Sequence, residues 1–146
     1  MEEIREPCVE DRELQAGSSH SFSRVITEEM VMDFARLSGD YNPVHMDEDY
    51  CRRHNLGQRM GHGMLILSMV STLIGMYLPG PGSVWLSQSF DFIRPVRIGD
   101  ELTVMGRVLD IKNKGILGND IITMSVAINN DANAVIARGR VIVTVK

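Results

Sequence analysis

Residues 63–78 constrain this chain more than any other stretch. They run without a single charge, and Pro79-Gly80-Pro81-Gly82 stops them. About 20 apolar residues are needed to cross a bilayer, and this run is shorter and interrupted by Ser68, Ser71 and Thr72. It therefore predicts an internal helix roughly 24 Å long. A helix apolar on nearly every side must be covered all round by protein. The cover follows at once in the chain. Beyond the Pro-Gly stop the period changes from helical to alternating, and residues 84–93, 101–111, 120–128 and 134–145 all read as long strands. Short turn-rich segments separate them, which predicts an antiparallel meander, and residues 19–25 read as an earlier strand that adds to it.

One buried helix and one long, curved antiparallel sheet suggest a sheet that wraps the helix. This α+β arrangement is the hot-dog fold. Its outer face and its edges need solvent or a partner, and edge-to-edge pairing of two copies is an economical answer. A homodimer is expected, with a higher oligomer of dimers left open.

The 146 residues suit a single domain. The net charge of −4 lies in the first 17 residues, which carry six acids and two bases. That segment reads as an acidic lead-in, and residues 18–146 as the domain proper. The near-neutral remainder has no basic stripe, which argues against nucleic acid. The acidic start is unlike a signal peptide, and no segment reads as membrane-spanning. Cys8 and Cys51 show no metal-type spacing, so reduced thiols in a cytoplasm are expected.

Thr27-Glu28-Glu29 marks a helix start, and Val31, Phe34 and Ala35 give its apolar face. This helix should end near Gly39, and Pro43 keeps Asn42 out of helical geometry. Asp40 and His45 follow in what reads as a loop, where both side chains can point the same way. A carboxylate beside an imidazole is suited to orienting and deprotonating water. The plain alternative is a polar loop with a structural histidine. Residues 47–54 read as a short helical turn.

Gly61-His62-Gly63-Met64 precedes the buried helix. The first amides of a helix lack internal partners and carry partial positive charge. The amide of Gly63 is thus a candidate donor to a carbonyl oxygen turning enolate-like. Equally, the glycines simply let the helix enter tightly under the sheet. Ser71 lies two turns on, aimed at the site or bonded back to its own helix, with Ser68 as its competitor. Gln88, Phe90 and Phe92 share one strand face and are candidates, with Ile74 and Trp85, to line an acyl pocket, although Trp85 has the opposite parity. The two phenylalanines also suit ordinary core.

Ser38-Gly39-Asp40-Tyr41-Asn42-Pro43-Val44-His45, then Gly61-His62-Gly63-Met64, then Phe92-Ile93-Arg94-Pro95 to Gly99-Asp100, resemble the MaoC-like hydratase/dehydratase family. The closest likeness is to short, single-domain (R)-specific enoyl-CoA hydratases. The resemblance implies a hot-dog dimer that binds an acyl-CoA thioester near the dimer interface. It implies that Asp40 and His45 hold the water added to C3 of a trans-2-enoyl thioester, giving an (R)-3-hydroxyacyl product. Gly63 matches the position whose amide binds the thioester oxygen, Ser71 a supporting serine and Asn42 the residue that shapes the loop. No metal and no separate cofactor are implied, coenzyme A being part of the substrate. Arg94 and Arg97 are candidates to meet its phosphates, or are solvated turn charges.

Three other readings compete. A dehydratase acting on acyl carrier protein, or a hot-dog thioesterase, would often take its acid from the central helix, and residues 63–78 contain none. A binding-only domain would be expected to lack Asp40 or His45.

Overall fold

The structure, a computed structural model, describes residues 13–113 and 118–145. Most of the acidic lead-in, Cys8 and part of the turn before the fourth strand lie outside the described residues. Strand β1 (Ser19–Val25) leads into helix α1 (Glu28–Ser38). The Thr27 hydroxyl caps α1 by accepting from the Met30 amide, and Gly39 closes it by donating to the carbonyl of Ala35. Two short helices follow, α2 (Pro43–Met46) and α3 (Glu48–Arg53). Helix α4 (Gly63–Thr72) continues into one π-helical turn (Leu73–Tyr77). Strands β2 (Ser83–Phe92), β3 (Glu101–Lys112), β4 (Asp120–Asn130) and β5 (Val135–Val145) complete the chain.

All five strands form one antiparallel sheet in the order β1-β3-β4-β5-β2. The expected meander holds only for β3, β4 and β5. Strand β2 sits at the far edge, beside β5, and its connection to β3 passes two strands. Three strand spacings are about 14 Å, and eight extended residues reach about 26 Å, so residues 93–100 can make the crossing. This connection does more than cross. Val96 is buried, its carbonyl accepts from the Gly61 amide, and Arg97 bridges to Met60, so it braces the entrance of α4.

The sheet's inner face supplies Leu102, Val104, Val108, Ile122, Met124, Val126, Val141 and Val143, all buried. Against them lie Leu65, Ile66, Met69, Val70 and Leu73 from α4 and its π turn. The approach is tight: a Cβ on Gly106 of β3 would stand 2.6 Å from Leu73 Cδ2. The sheet therefore wraps the helix as the sequence predicts, but it does not cover it completely. Met64, Ser68 and Ser71 form an exposed stripe along α4. One chain covers the rest of the helix and leaves this stripe to something else.

The register of β2 against β5 shifts between Trp85 and Ser87. Trp85 pairs with Val143, Gln88 with Val141, Phe90 with Gly139 and Phe92 with Ala137. Leu86 is the extra residue of a β-bulge, so the count of two resets there. Trp85 thus shares the inner face with Gln88, Phe90 and Phe92, contrary to its sequence parity.

Candidate active site

Asp40 does sit in the short link after α1, but His45 does not lie in a loop. Pro43 occupies the first turn of α2, where its missing N–H costs nothing, and His45 belongs to that turn. Asn42 remains extended, as a residue before proline should, and its Oδ1 caps α2 by accepting from the Val44 amide at 3.2 Å. The Asn42 amide in turn donates to Asp40 Oδ1 at 3.1 Å. One carboxylate oxygen is thus held locally and the other, Oδ2, is free to face His45.

His45 is pinned from its other side. Its Nδ1 lies 2.7 Å from the carbonyl oxygen of Met60, which can only accept, so Nδ1 carries the hydrogen. In the neutral ring Nε2 then presents a lone pair, and it stands 3.8 Å from Asp40 Oδ2. That gap is too wide for a direct hydrogen bond. It suits one water bridging both groups at about 2.8 Å from each, with an angle of about 85° at its oxygen. The carboxylate side chain is half exposed and the imidazole 11% exposed, so water reaches the pair from one side.

The entrance of α4 abuts this pair. His62 is buried, its Nε2 donates to the Asp40 carbonyl at 2.9 Å, and its ring lies against that of His45, tilted by 31° with centroids 3.9 Å apart. Gly63 opens α4, and no side chain caps the helix start. A Cβ there would meet the Phe92 ring at 3.0 Å, so glycine lets that ring lie against the start of α4 without shifting. Asp40, His45 and His62 offer ligand atoms within 4.8 Å of one another, a grouping of metal-ligand type. His45 Nδ1 and His62 Nε2 each already lie on a carbonyl, so only one nitrogen of each ring is left to such a group.

The remaining sequence candidates stand apart from the pair. Ser71 is exposed on α4, about 12 Å along the helix from Gly63, and among the described residues its hydroxyl has no partner. Ser68, its competitor, bonds back to the carbonyl of Leu65. Ile74 is buried in the core, and Gln88 is exposed on the inner face of β2. Arg94 donates to the Val135 carbonyl, and Arg97 to those of Leu56 and Gln58, so both guanidinium groups brace backbone. An open cleft of about 520 Å³ lies on the sheet's outer face, among Arg107, Arg138 and Arg140, away from the pair. Cys51 is a buried free thiol. The sequence reading assigned His62 no role. Its position directly before an uncharged buried helix was the available signal, whereas the Met60 carbonyl, a backbone group, left none.

The model of the MaoC like domain family matches residues 12–130. An (R)-specific enoyl-CoA hydratase of Rhodospirillum rubrum is 42% identical over 91 residues, which span 62% of this chain and 63% of that protein. An (R)-specific enoyl-CoA hydratase of Aeromonas caviae is 33% identical over 89% of this chain and 94% of that one. A solved (R)-hydratase from A. caviae, described as involved in PHA biosynthesis, superposes with a TM-score of 0.84 at 32% identity, covering 91% of this chain and 98% of that one. On these matches the chain belongs to the MaoC-like domain family.

Proposed function

We propose that this chain is an (R)-specific enoyl-CoA hydratase, adding water reversibly to trans-2-enoyl-CoA to give (R)-3-hydroxyacyl-CoA. The observation that carries the reading is the 3.8 Å gap between Asp40 Oδ2 and His45 Nε2, each held from behind, beside the uncapped start of α4. A water in that gap gives up a proton to the pair as its oxygen attacks C3. The pair returns a proton to C2 on the same face, so the addition is syn. Charge builds on the thioester oxygen meanwhile, and the Gly63 amide is the donor for it. The reaction so drawn needs no metal and no cofactor beyond the coenzyme A of the substrate.

The exposed stripe Met64, Ser68 and Ser71, together with the edge strand β2, supports a homodimer in which a second copy covers both. Ser71 and Gln88, both exposed, are substrate-supporting residues in this reading, whereas Ile74, buried in the core, acts only by backing the surface the acyl chain follows. A cytoplasmic setting is part of the same reading, in keeping with the free thiol of Cys51. No helix is long and apolar enough to cross a membrane among the described residues.

Loss of enoyl absorbance from crotonyl-CoA tests the activity, and chiral analysis of the product tests its hand. Asp40→Asn keeps an oxygen for the Asn42 amide, so it should fold normally. Its kcat should fall about 10²–10⁴-fold, the usual worth of a positioned acid/base group. Wild-type protein that leaves crotonyl-CoA and longer enoyl-CoAs untouched would sink the reading, and release of free coenzyme A thiol would point to a thioesterase.

A further inference from the structure

We propose that His62 is a positioning residue for this reaction, fixing the acid and the base relative to each other through its Nε2–H. Residues 39–42 make only local hydrogen bonds, with one exception. Gly39 bonds to Ala35, Asp40 to Ser38, and Asn42 to Asp40 and, through its carbonyl and side chain, to α2. The exception is the 2.9 Å bond from His62 Nε2 to the Asp40 carbonyl, which crosses 22 positions of sequence. Among the described residues no other hydrogen bond ties residues 39–42 to a part of the chain distant in sequence. The same imidazole lies against the His45 ring at 3.9 Å and against Phe34 at 4.9 Å. His62 therefore touches the acid through its backbone and the base through its ring, and its own backbone begins α4 beside Gly63.

A purely structural filler would be chosen differently. Among the described residues the buried His62 Nδ1 has no partner, which a side chain serving only to pack would avoid. Phenylalanine would fill much the same space between Phe34 and His45 with no such cost. Histidine supplies what phenylalanine lacks, a donor at the tip of a flat ring. The carbonyl of Asp40 can only accept, so Nε2 carries the hydrogen, and a bare Nδ1 leaves no buried donor unpaired.

Two substitutions separate the roles. His62→Phe keeps a flat ring packed between Phe34 and His45 and loses the donor. His62→Gln keeps a donor of similar reach and loses the ring. With the hydratase reading as its kinetic basis, the proposal expects His62→Phe to lose about ten- to a hundred-fold in kcat, the effect of misplacing a catalytic group by a fraction of an ångström or more. KM for crotonyl-CoA should change by less than about twofold, because the acid is displaced and not the thioester site. His62→Gln should recover most of that loss in kcat even if it melts at a lower temperature. A merely structural role ranks them in reverse, so a His62→Phe enzyme equal to or better than His62→Gln overturns the proposal. A second measurement does not depend on activity. In ¹⁵N-histidine NMR spectra of the wild-type protein, His62 should show the Nε2–H tautomer, and the Nδ1–H tautomer would equally overturn it. A wild type inactive on every enoyl-CoA would instead count against the hydratase reading and leave the NMR result to decide the role of His62.

Discussion

Gly63→Ala is a perturbation whose outcome can be worked out from the packing. The added Cβ would stand 3.0 Å from Phe92 Cζ and 3.3 and 3.4 Å from the two Cε atoms. Phe92 is half exposed at the end of the edge strand, so its ring can swing aside rather than push the backbone. An off-rotamer ring costs about 0.5–1.5 kcal/mol. Alanine in place of glycine at a helical position returns roughly 0.5–1 kcal/mol. The two nearly cancel, so stability should change by no more than about 1 kcal/mol, or about 4 °C in Tm. Activity should respond very differently. The new methyl lies beside the first free amide of α4 and keeps a thioester oxygen from reaching hydrogen-bond distance. Losing one such donor costs about 10²–10³ in kcat, equivalent to about 2.7–4 kcal/mol. Crotonyl-CoA hydration and a thermal melt on the same preparation give both numbers. Adding Phe92→Ala removes the clash and leaves the methyl. If the double variant regains wild-type kcat, or if Gly63→Ala alone stays within about threefold, the amide is not the donor and the reasoning is wrong.

Two further expectations follow from the same geometry. Asn42→Ala removes the cap of the single turn that carries His45, and should cost about 1 kcal/mol in a thermal melt together with a measurable drop in kcat; an unchanged melt and rate would show that Pro43 alone holds the turn. Light scattering should find the wild type as a dimer or a multiple of one, and Ser68→Arg on the exposed stripe of α4 should shift it toward monomer with loss of activity. A fully active wild-type monomer would refute the reading of that stripe.

Much of this was legible in the sequence because the signals were local. The cap at Thr27, the stop after residue 78 and the alternation of residues 101–145 each follow from neighbours along the chain, and the elements stand where those signals put them. The misreadings had non-local causes. The order of strands depends on where residues 93–100 travel, which alternation cannot report. The face of Trp85 depends on a single extra residue at Leu86, visible only through its pairing with β5. Pro43 reads as a break when viewed from α1 and as a start when viewed from α2, and only the second view explains how His45 is held. The helix 63–78 was expected to be covered all round, yet its composition cannot say whether the cover comes from one chain or two. The sequence singles out Asp40, His45 and Gly63 as candidates; the bonds that hold this region, to the carbonyls of Met60 and Asp40, belong to backbone atoms that every sequence shares.

The ties around the pair have a consequence for how such an enzyme diversifies. His45 to Met60, Met60 to Val44 and His62 to Asp40 all join points within one stretch of the chain, residues 40–62. The inner face of β2 and the end of the central helix, which the acyl chain would follow, are built from residues 68–92. In the hydratase reading the acid, the base and the bonds that hold them thus fall in one passage of the sequence, and the acyl-facing surface falls in the next. Substitutions in the second that spare Phe92, whose ring lies against Gly63, leave those ties in place, so under the hydratase reading what is accepted can change while the acid and the base stay as they are.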